Sequence, residues 1–212
     1  MQLLAPEAGF VFSSAIVGGT IPSAVGGGWA ASLRKTGQVS LAVFGDGATE
    51  EGVFHESLNF ASLHRLPVVF VCENNFYACY SHQRARQPAD NIWKRAAAYG
   101  MPGVRVDGND VATVYRTVAQ AARRARAGQG PSLIECRTYR WREHGGPADD
   151  TDLGYRSRAE LRQWQARCPI KRLSRSLTRR RLITDRQMSA WTDEIRREVE
   201  DAVVFAKQSP FP

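Results

Sequence analysis

Val39-Ser40-Leu41-Ala42-Val43-Phe44-Gly45-Asp46-Gly47 is the stretch that decides the fold. Its short apolar run stops at Gly45, as a buried strand stops at a turn. In the next segment, Thr49 through Leu63, Phe54, Leu58 and Ala61 fall on one helical face. Thr49 is placed to cap this helix, and Glu50 and Glu51 bring two carboxylates to its first turn. After Pro67, Val68-Val69-Phe70-Val71-Cys72 reads as a strand buried on both faces, ending at Glu73-Asn74-Asn75. Strand, helix and strand recur in looser form as Val104 to Val106, Asp110 to Arg126 and Ser132 to Cys136. This alternation predicts an α/β fold, a parallel sheet flanked by helices on both faces.

Working outward, the glycine-rich segment from Gly18 to Ala31 reads as a tightly packed helix entered through Pro22. Each interior glycine there costs about 1 kcal/mol relative to alanine unless close packing compensates. Beyond Tyr155 the chain becomes rich in Arg and Gln at helical spacing. Thr184 opens a helix carrying Trp191, Ile195, Val199 and Val203. The expected organisation is an α/β domain over residues 1–155 and a helical C-terminal extension over 156–212.

In a parallel sheet, ligands bind beyond the carboxyl ends of the strands, which here means Gly45-Asp46-Gly47 and Asn74-Asn75. The segment between Asp46 and Asn75 is long enough for one helix and a return strand, so both side chains should reach the same sheet edge. A carboxylate, an amide oxygen and nearby carbonyls are hard donors suited to Mg²⁺ or Ca²⁺, and Mg²⁺ usually keeps phosphate oxygens and water in its shell. A phosphorylated ligand is therefore implied. Gly47 and Ala48 precede the helix, so their amides lie where unpaired N–H groups favour anions.

The 212 residues, 43% of them hydrophobic, suffice for one full core with a small appendage. No apolar run approaches the roughly 20 residues that span a bilayer, and the first residues lack a secretory profile, so a cytoplasmic protein without a membrane partner is expected. Cys72, Cys79, Cys136 and Cys168 have neither metal-ligand nor redox-pair spacing and read as reduced packing residues. The net charge of +8 calls for an anionic partner to be weighed. Its basic cluster, Arg172, Arg175, Arg179, Arg180 and Arg181, lies on a helical tail, where a solvated face or a docked partner protein is commoner than nucleic acid. No nucleic-acid motif accompanies it. His55 and His64 have no ligand partner at metal spacing and read as surface or packing residues.

Gly45-Asp46-Gly47 followed by Asn74-Asn75 resembles the thiamin diphosphate motif. The likeness extends through Ala15-Ile16-Val17-Gly18-Gly19-Thr20-Ile21-Pro22, Cys72-Glu73-Asn74-Asn75, Val106-Asp107-Gly108-Asn109-Asp110 and Thr138-Tyr139-Arg140-Trp141-Arg142. Together these landmarks resemble the alpha subunit of 2-oxo acid dehydrogenases, the group of pyruvate, branched-chain and acetoin dehydrogenases. The resemblance implies a thiamin-diphosphate-binding fold, with Asp46, Asn75 and the carbonyl of Tyr77 as metal ligands. It implies that Gly45 brings the backbone close to the cofactor and that Gly47 and Ala48 hold its diphosphate. Ala15, Ile16 and Val17 would line the aminopyrimidine, and His144 would act catalytically beside the diphosphate. It further implies a beta subunit that donates the activating glutamate, an assembly of two alpha and two beta chains, and a lipoyl-bearing acyltransferase as acceptor. An upstream segment with further cofactor anchors and a catalytic histidine is also implied, and Met1 aligns past it.

Arg142-Glu143-His144-Gly145 stands where the best-known relatives carry His-Gly-His-Ser, so phosphorylation at that serine is not expected and the oxo acid stays open. Two rival readings are a transketolase- or synthase-type thiamin enzyme and a noncatalytic basic docking subunit.

Overall fold

The computed structural model describes residues 3–211. By its internal contacts the chain divides into a unit over residues 1–166 and a second over residues 167–212.

The first unit is built on four parallel strands, β1 (Ser40–Gly45), β2 (Val68–Asn74), β5 (Gly103–Asp107) and β6 (Ser132–Arg137), in the order β1-β2-β6-β5. Helices α1 (Thr20–Arg34), α2 (Gly52–Leu63) and α4 (Val111–Arg126) flank the sheet. Between β2 and β5 lie a two-strand ribbon, β3 (Tyr77–Ala78) and β4 (Ser81–His82), the single-turn helix α3 (Gln83–Arg86) and a 3₁₀ segment, Ile92–Tyr99. The step from β1 to β2 and the step from β5 to β6 run in opposite directions across the sheet. Right-handed crossovers therefore send α2 and α4 to opposite faces. Two cores result. Phe54 and Leu58 of α2, with Ile21 and Val25 of α1, pack on Ala42, Phe44, Val68, Phe70 and Leu133. On the other face, Ala121 of α4 packs with Val69, Val71, Ile134 and Cys136. The alternation of Val68 and Phe70 with Val69 and Val71 is the period of two that a strand buried on both sides requires.

β1 departs from the expected buried strand. Ala42 and Phe44 are buried, but Leu41 and Val43 are 51% and 45% exposed, because β1 is an edge strand and α4 packs on β2, β6 and β5 at the other side of the sheet.

Helix α1 is as tightly packed as its glycines suggest. A Cβ on Gly28 would come 2.5 Å from Val68 Cγ2, and one on Gly27 would come 2.7 Å from Ser40 Oγ. The helix begins at Thr20, however, two residues before the expected proline entry, with Gly19 at its N-cap. Thr49 is also not the cap of α2. It lies within a 3₁₀ turn, Asp46–Glu50, and donates from Oγ1 to the Asp46 carbonyl at 2.7 Å, which leaves Glu51 as the N-cap residue. Asp110 caps α4 by accepting from the Thr113 amide. Helix α5 (Arg158–Ala166) completes the first unit.

The second unit contains α6 (Pro169–Arg179) and α7 (Asp185–Gln208). Thr184 opens α7 through a capping box, its hydroxyl accepting from the Gln187 amide while Gln187 Oε1 accepts from the Thr184 amide. The arginines Arg175, Arg179, Arg180 and Arg181 are exposed, as are Trp191, Ile195, Val199 and Val203. Among the described residues no helix is long and apolar enough to cross a membrane.

All four cysteines are free. Cys72, Cys136 and Cys168 are buried as expected, but Cys79 is not a packing residue: it is exposed in the turn between β3 and β4, with φ at +49°. His55 is an exposed residue of α2 bonded through Nδ1 to the Tyr99 hydroxyl, and His64 stacks on Trp29, so both carry surface packing roles.

Candidate functional site

The parallel register places Gly45 opposite Glu73, so Asp46 leaves β1 beside the point where Asn74 and Asn75 leave β2. Both expected ligands thus follow the carboxyl ends of adjacent strands. Asp46 is 1% exposed. Its Oδ2 faces Arg86 Nη2 at 2.5 Å, while its Oδ1 is buried and has no hydrogen-bond partner among the described residues. A buried carboxylate oxygen without a donor is costly unless a cation or donor is supplied. Asn75 is half-buried, and its Oδ1 accepts from the Tyr77 amide at 3.0 Å, which closes a turn that returns the chain past the strand end. Gly47 lies against this turn: a Cβ there would come 2.8 Å from Ala78 Cβ, so only glycine lets the two loops approach. At Gly45 a Cβ would meet open space. The amides of Gly47 and Ala48 open the 3₁₀ turn and do not lead directly into α2.

Asn74, although adjacent to Asn75, has a different task. It is fully buried, and its amide group ties the strand tip to the rest of the unit. Nδ2 donates to Glu135 Oε1 at 2.8 Å and to Gln83 Oε1 at 3.2 Å, and Oδ1 accepts from the Phe76 amide. That bond holds Phe76 at φ +73°, a conformation a bulky residue rarely adopts. From Gln83 the chain of bonds continues through Gln83 Nε2 to Gln87 Oε1, and through Gln87 Nε2 to Thr49 Oγ1 and Glu50 Oε1. Arg95 adds a bond to the Thr49 carbonyl and another to Gln87. A continuous polar ladder therefore connects the tip of β2 to the turn after β1 and fixes Asp46 relative to Asn75.

Glu135 anchors the ladder from the middle of β6. Its carboxylate is fully buried, accepts from the Trp93 amide at 3.1 Å, and lies 3.3 Å from Arg105 Nε and 3.2 Å from Arg137 Nε. Both arginines also pair with Asp90.

The remaining expected site residues lie nearby in part. Ala15, Ile16 and Val17 form an exposed turn before α1, with Ile16 and Val17 at 75% and 59% exposure. Gly18, at φ +78°, seats that turn against Glu51 and Val53 at the start of α2, next to the 46–50 turn. Tyr77 is buried, its hydroxyl donating to Glu160 Oε2 at 3.0 Å. Burial, then the bond and charge of Glu160, push the Tyr77 phenol well above its usual range. His144 is exposed in an irregular loop, its Nδ1 3.3 Å from Arg140 Nη1, and makes no bond to the Asp46 turn. Arg140 ties that loop to the ribbon through the Cys79 carbonyl and the Tyr155 hydroxyl. At the loop's base Arg156 is buried on Asp150. Burial opposes ionisation of Asp150, but hydrogen bonds from Tyr155 and Arg156 and the charges of Arg156 and Arg140 outweigh it and hold its pKa below the ordinary carboxylate value.

Among the described residues no three His, Cys, Asp or Glu side chains form a metal cluster. The expected donor set contains only one carboxylate, with an amide and a main-chain oxygen, so it is not a cluster of that kind. The orphaned Asp46 Oδ1, the amide oxygen at the neighbouring strand tip and the Gly47 cradle fit a hard cation carrying a phosphorylated ligand. Sequence reasoning did not reach Gln83, Gln87, Arg86, Arg95 or Glu135. Only Glu135, a charge inside an apolar strand, and the i, i+4 pair Gln83 and Gln87 left a signal.

A family model described as dehydrogenase E1 component matches residues 1–212. The chain is 40% identical over its whole length to the alpha-3 subunit of the chloroplastic pyruvate dehydrogenase E1 component of Arabidopsis thaliana, of which it covers 50%. Over 90% of its length it is 39% identical to the 2-oxoisovalerate dehydrogenase subunit alpha of Bacillus subtilis, covering 57% of that protein. It is 38% identical throughout to the alpha subunit of acetoin:2,6-dichlorophenolindophenol oxidoreductase from the same bacterium, covering 62%. The chain thus spans about half the length of the curated relatives it matches. The α/β sheet, the paired strand tips and the match along the whole chain establish that this protein belongs to the dehydrogenase E1 component family.

Proposed function

We propose that this chain forms the cofactor-holding part of the alpha subunit of a thiamin-diphosphate-dependent 2-oxo acid dehydrogenase. The observation that carries the reading is the buried, unpartnered Oδ1 of Asp46 next to the Gly47 cradle, with Asn75 on the adjacent strand tip. In this reading Asp46, Asn75 and the Tyr77 carbonyl hold Mg²⁺, and the amides of Gly47 and Ala48 hold the diphosphate. The Ala15 to Val17 turn meets the aminopyrimidine, and His144 closes on the diphosphate when its loop engages. When bound, thiamin diphosphate supplies the nucleophilic carbon and the electron sink that decarboxylation of a 2-oxo acid needs. The residues of this chain bind and orient the cofactor; the glutamate that activates it comes from a beta subunit, within an assembly of two alpha and two beta chains that passes its product to a lipoyl-bearing acyltransferase.

The names of the relatives support the dehydrogenase over the transketolase- or synthase-type reading, and their match over 90% or more of the chain weighs against a noncatalytic docking subunit. The test is calorimetry with thiamin diphosphate and Mg²⁺ on the chain assembled with its beta partner, followed by turnover of a 2-oxo acid with an artificial electron acceptor. Binding should require Asp46 and Asn75, and the acceptor should be reduced. Wild-type affinity in Asp46→Ala or Asn75→Ala would remove that ligand from the scheme. Aldehyde transfer without acceptor reduction would favour the transketolase type.

A further inference from the structure

We propose that Arg86 is the resident counter-ion of the Asp46 pocket, the group that a metal ion must displace, and that it thereby sets the pocket's metal affinity. The inference rests on the reading of Asp46 as a metal ligand. The guanidinium spans two acids, with Nη2 2.5 Å from Asp46 Oδ2 and Nη1 on Glu50. A third bond, from Nε to the Ser81 carbonyl at 3.0 Å, aims it into the pocket. Nη1 also lies 3.8 Å from the place where a Cβ of Gly47 would be, so the guanidinium overlies the backbone expected to meet the cofactor. Asp46 and the Arg86 side chain are 1% and 12% exposed. A carboxylate this deep needs a partner charge, and Arg86 is the cation in contact with it.

Two features make displacement the expected outcome. A divalent cation on Asp46 would face the guanidinium at short range in a site with little water to screen their repulsion. The strand tips, moreover, are held by bonds in which Arg86 takes no part. The ladder through Asn74, Gln83, Gln87 and Thr49 fixes the two strand tips, so the arginine can leave Oδ2 while Asp46 and Asn75 stay in place. Glu50, 32% exposed, remains as a partner for the departing side chain.

Manganese binding to the full chain, read by electron paramagnetic resonance of free Mn²⁺, tests this without any measurement of turnover. Arg86→Gln should bind Mn²⁺ at least about tenfold more tightly than wild type. Arg86→Lys, which keeps a cation but cannot fork across two acids, should fall between them. Asp46→Asn should bind none. A structural role for Arg86 would weaken binding in both variants. Unchanged or weaker binding by Arg86→Gln, with Asp46→Asn silent, overturns the inference and leaves Asp46 as a ligand. Equal binding by Asp46→Asn and wild type, or no binding by any form, removes the ligand assignment and the inference with it. Should Arg86→Gln fail to fold, Arg86→Lys decides alone: tighter than wild type supports displacement, equal or weaker refutes it.

Discussion

Glu135→Gln keeps the shape of a fully buried side chain and removes only its charge and half its acceptor capacity. The native carboxylate accepts from Asn74 Nδ2 at 2.8 Å and from the Trp93 amide at 3.1 Å, and faces the Nε atoms of Arg105 and Arg137. A glutamine can turn its oxygen toward only one of the two hydrogen-bonded donors, so its NH₂ must meet the other donor head on. Removing one partner of a buried ion pair costs about 3–5 kcal/mol. Arg105 and Arg137 retain Asp90 and are 31% and 14% exposed, which places the expected loss near the lower end, about 3 kcal/mol. For a chain of this size that is a fall in melting temperature of roughly 6–12 °C. Urea unfolding followed by circular dichroism and tryptophan fluorescence would measure it. A loss below about 1 kcal/mol at an unchanged denaturant slope would refute the argument that this carboxylate anchors the ladder.

The glycines of α1 offer a contrast of sign. Gly28→Ala drives a Cβ to 2.5 Å from Val68 Cγ2 and should destabilise by about 1–3 kcal/mol, whereas Gly26→Ala meets nothing within 4 Å and should stabilise by about 0.5–1 kcal/mol. Thermal melts of the two variants that move in the same direction would count against the packing described for this helix. A thiol reagent at pH 8 should modify Cys79 quickly and the other three cysteines only after unfolding. Burial, reinforced by the charges of Asp46 and Glu135, raises the Cys72 thiol well above its usual value, and burial first, then Glu73 and Glu135, pushes Cys136 up to about 11. Rapid labelling of more than one thiol in the folded chain would contradict this burial pattern. Thr184→Ala should lower the stability of α7 by about 1 kcal/mol through loss of its capping box, which helicity measured against urea would register.

Most of the sheet was legible because its cause is local. The run Val68 to Cys72, short, β-branched and bounded by Pro67 and Asn74, reads as a strand buried on both faces, and Ser132 to Cys136 reads as a further strand of the same sheet. The helix face of Phe54, Leu58 and Ala61 also follows from spacing alone, and all three side chains are fully buried. The exposed face of β1 is not legible locally, because the strand's edge position follows from the order β1-β2-β6-β5, which distant parts of the chain decide. Thr49 was misplaced for a similar reason: its hydroxyl serves both Asp46 and Gln87, a residue 38 positions away. The strand-tip residues Asp46 and Asn75 could be named in advance because parallel strands bring their carboxyl ends together. The ladder that fixes them could not, since the local Gln83–Gln87 pair and Arg95 reach the turn after β1 only when the chain beyond β2 folds back over the sheet edge.

The central claim is that Asp46 and Asn75 share one cation. It is tested most directly by the anomalous scattering of Mn²⁺ in crystals of the assembled protein grown with thiamin diphosphate. The account predicts a single peak roughly 2.0–2.3 Å from an oxygen of Asp46 and the amide oxygen of Asn75, with the diphosphate beside Gly47. A peak that engages only one of these side chains, or lies on Glu50 or Asp150 instead, would contradict it.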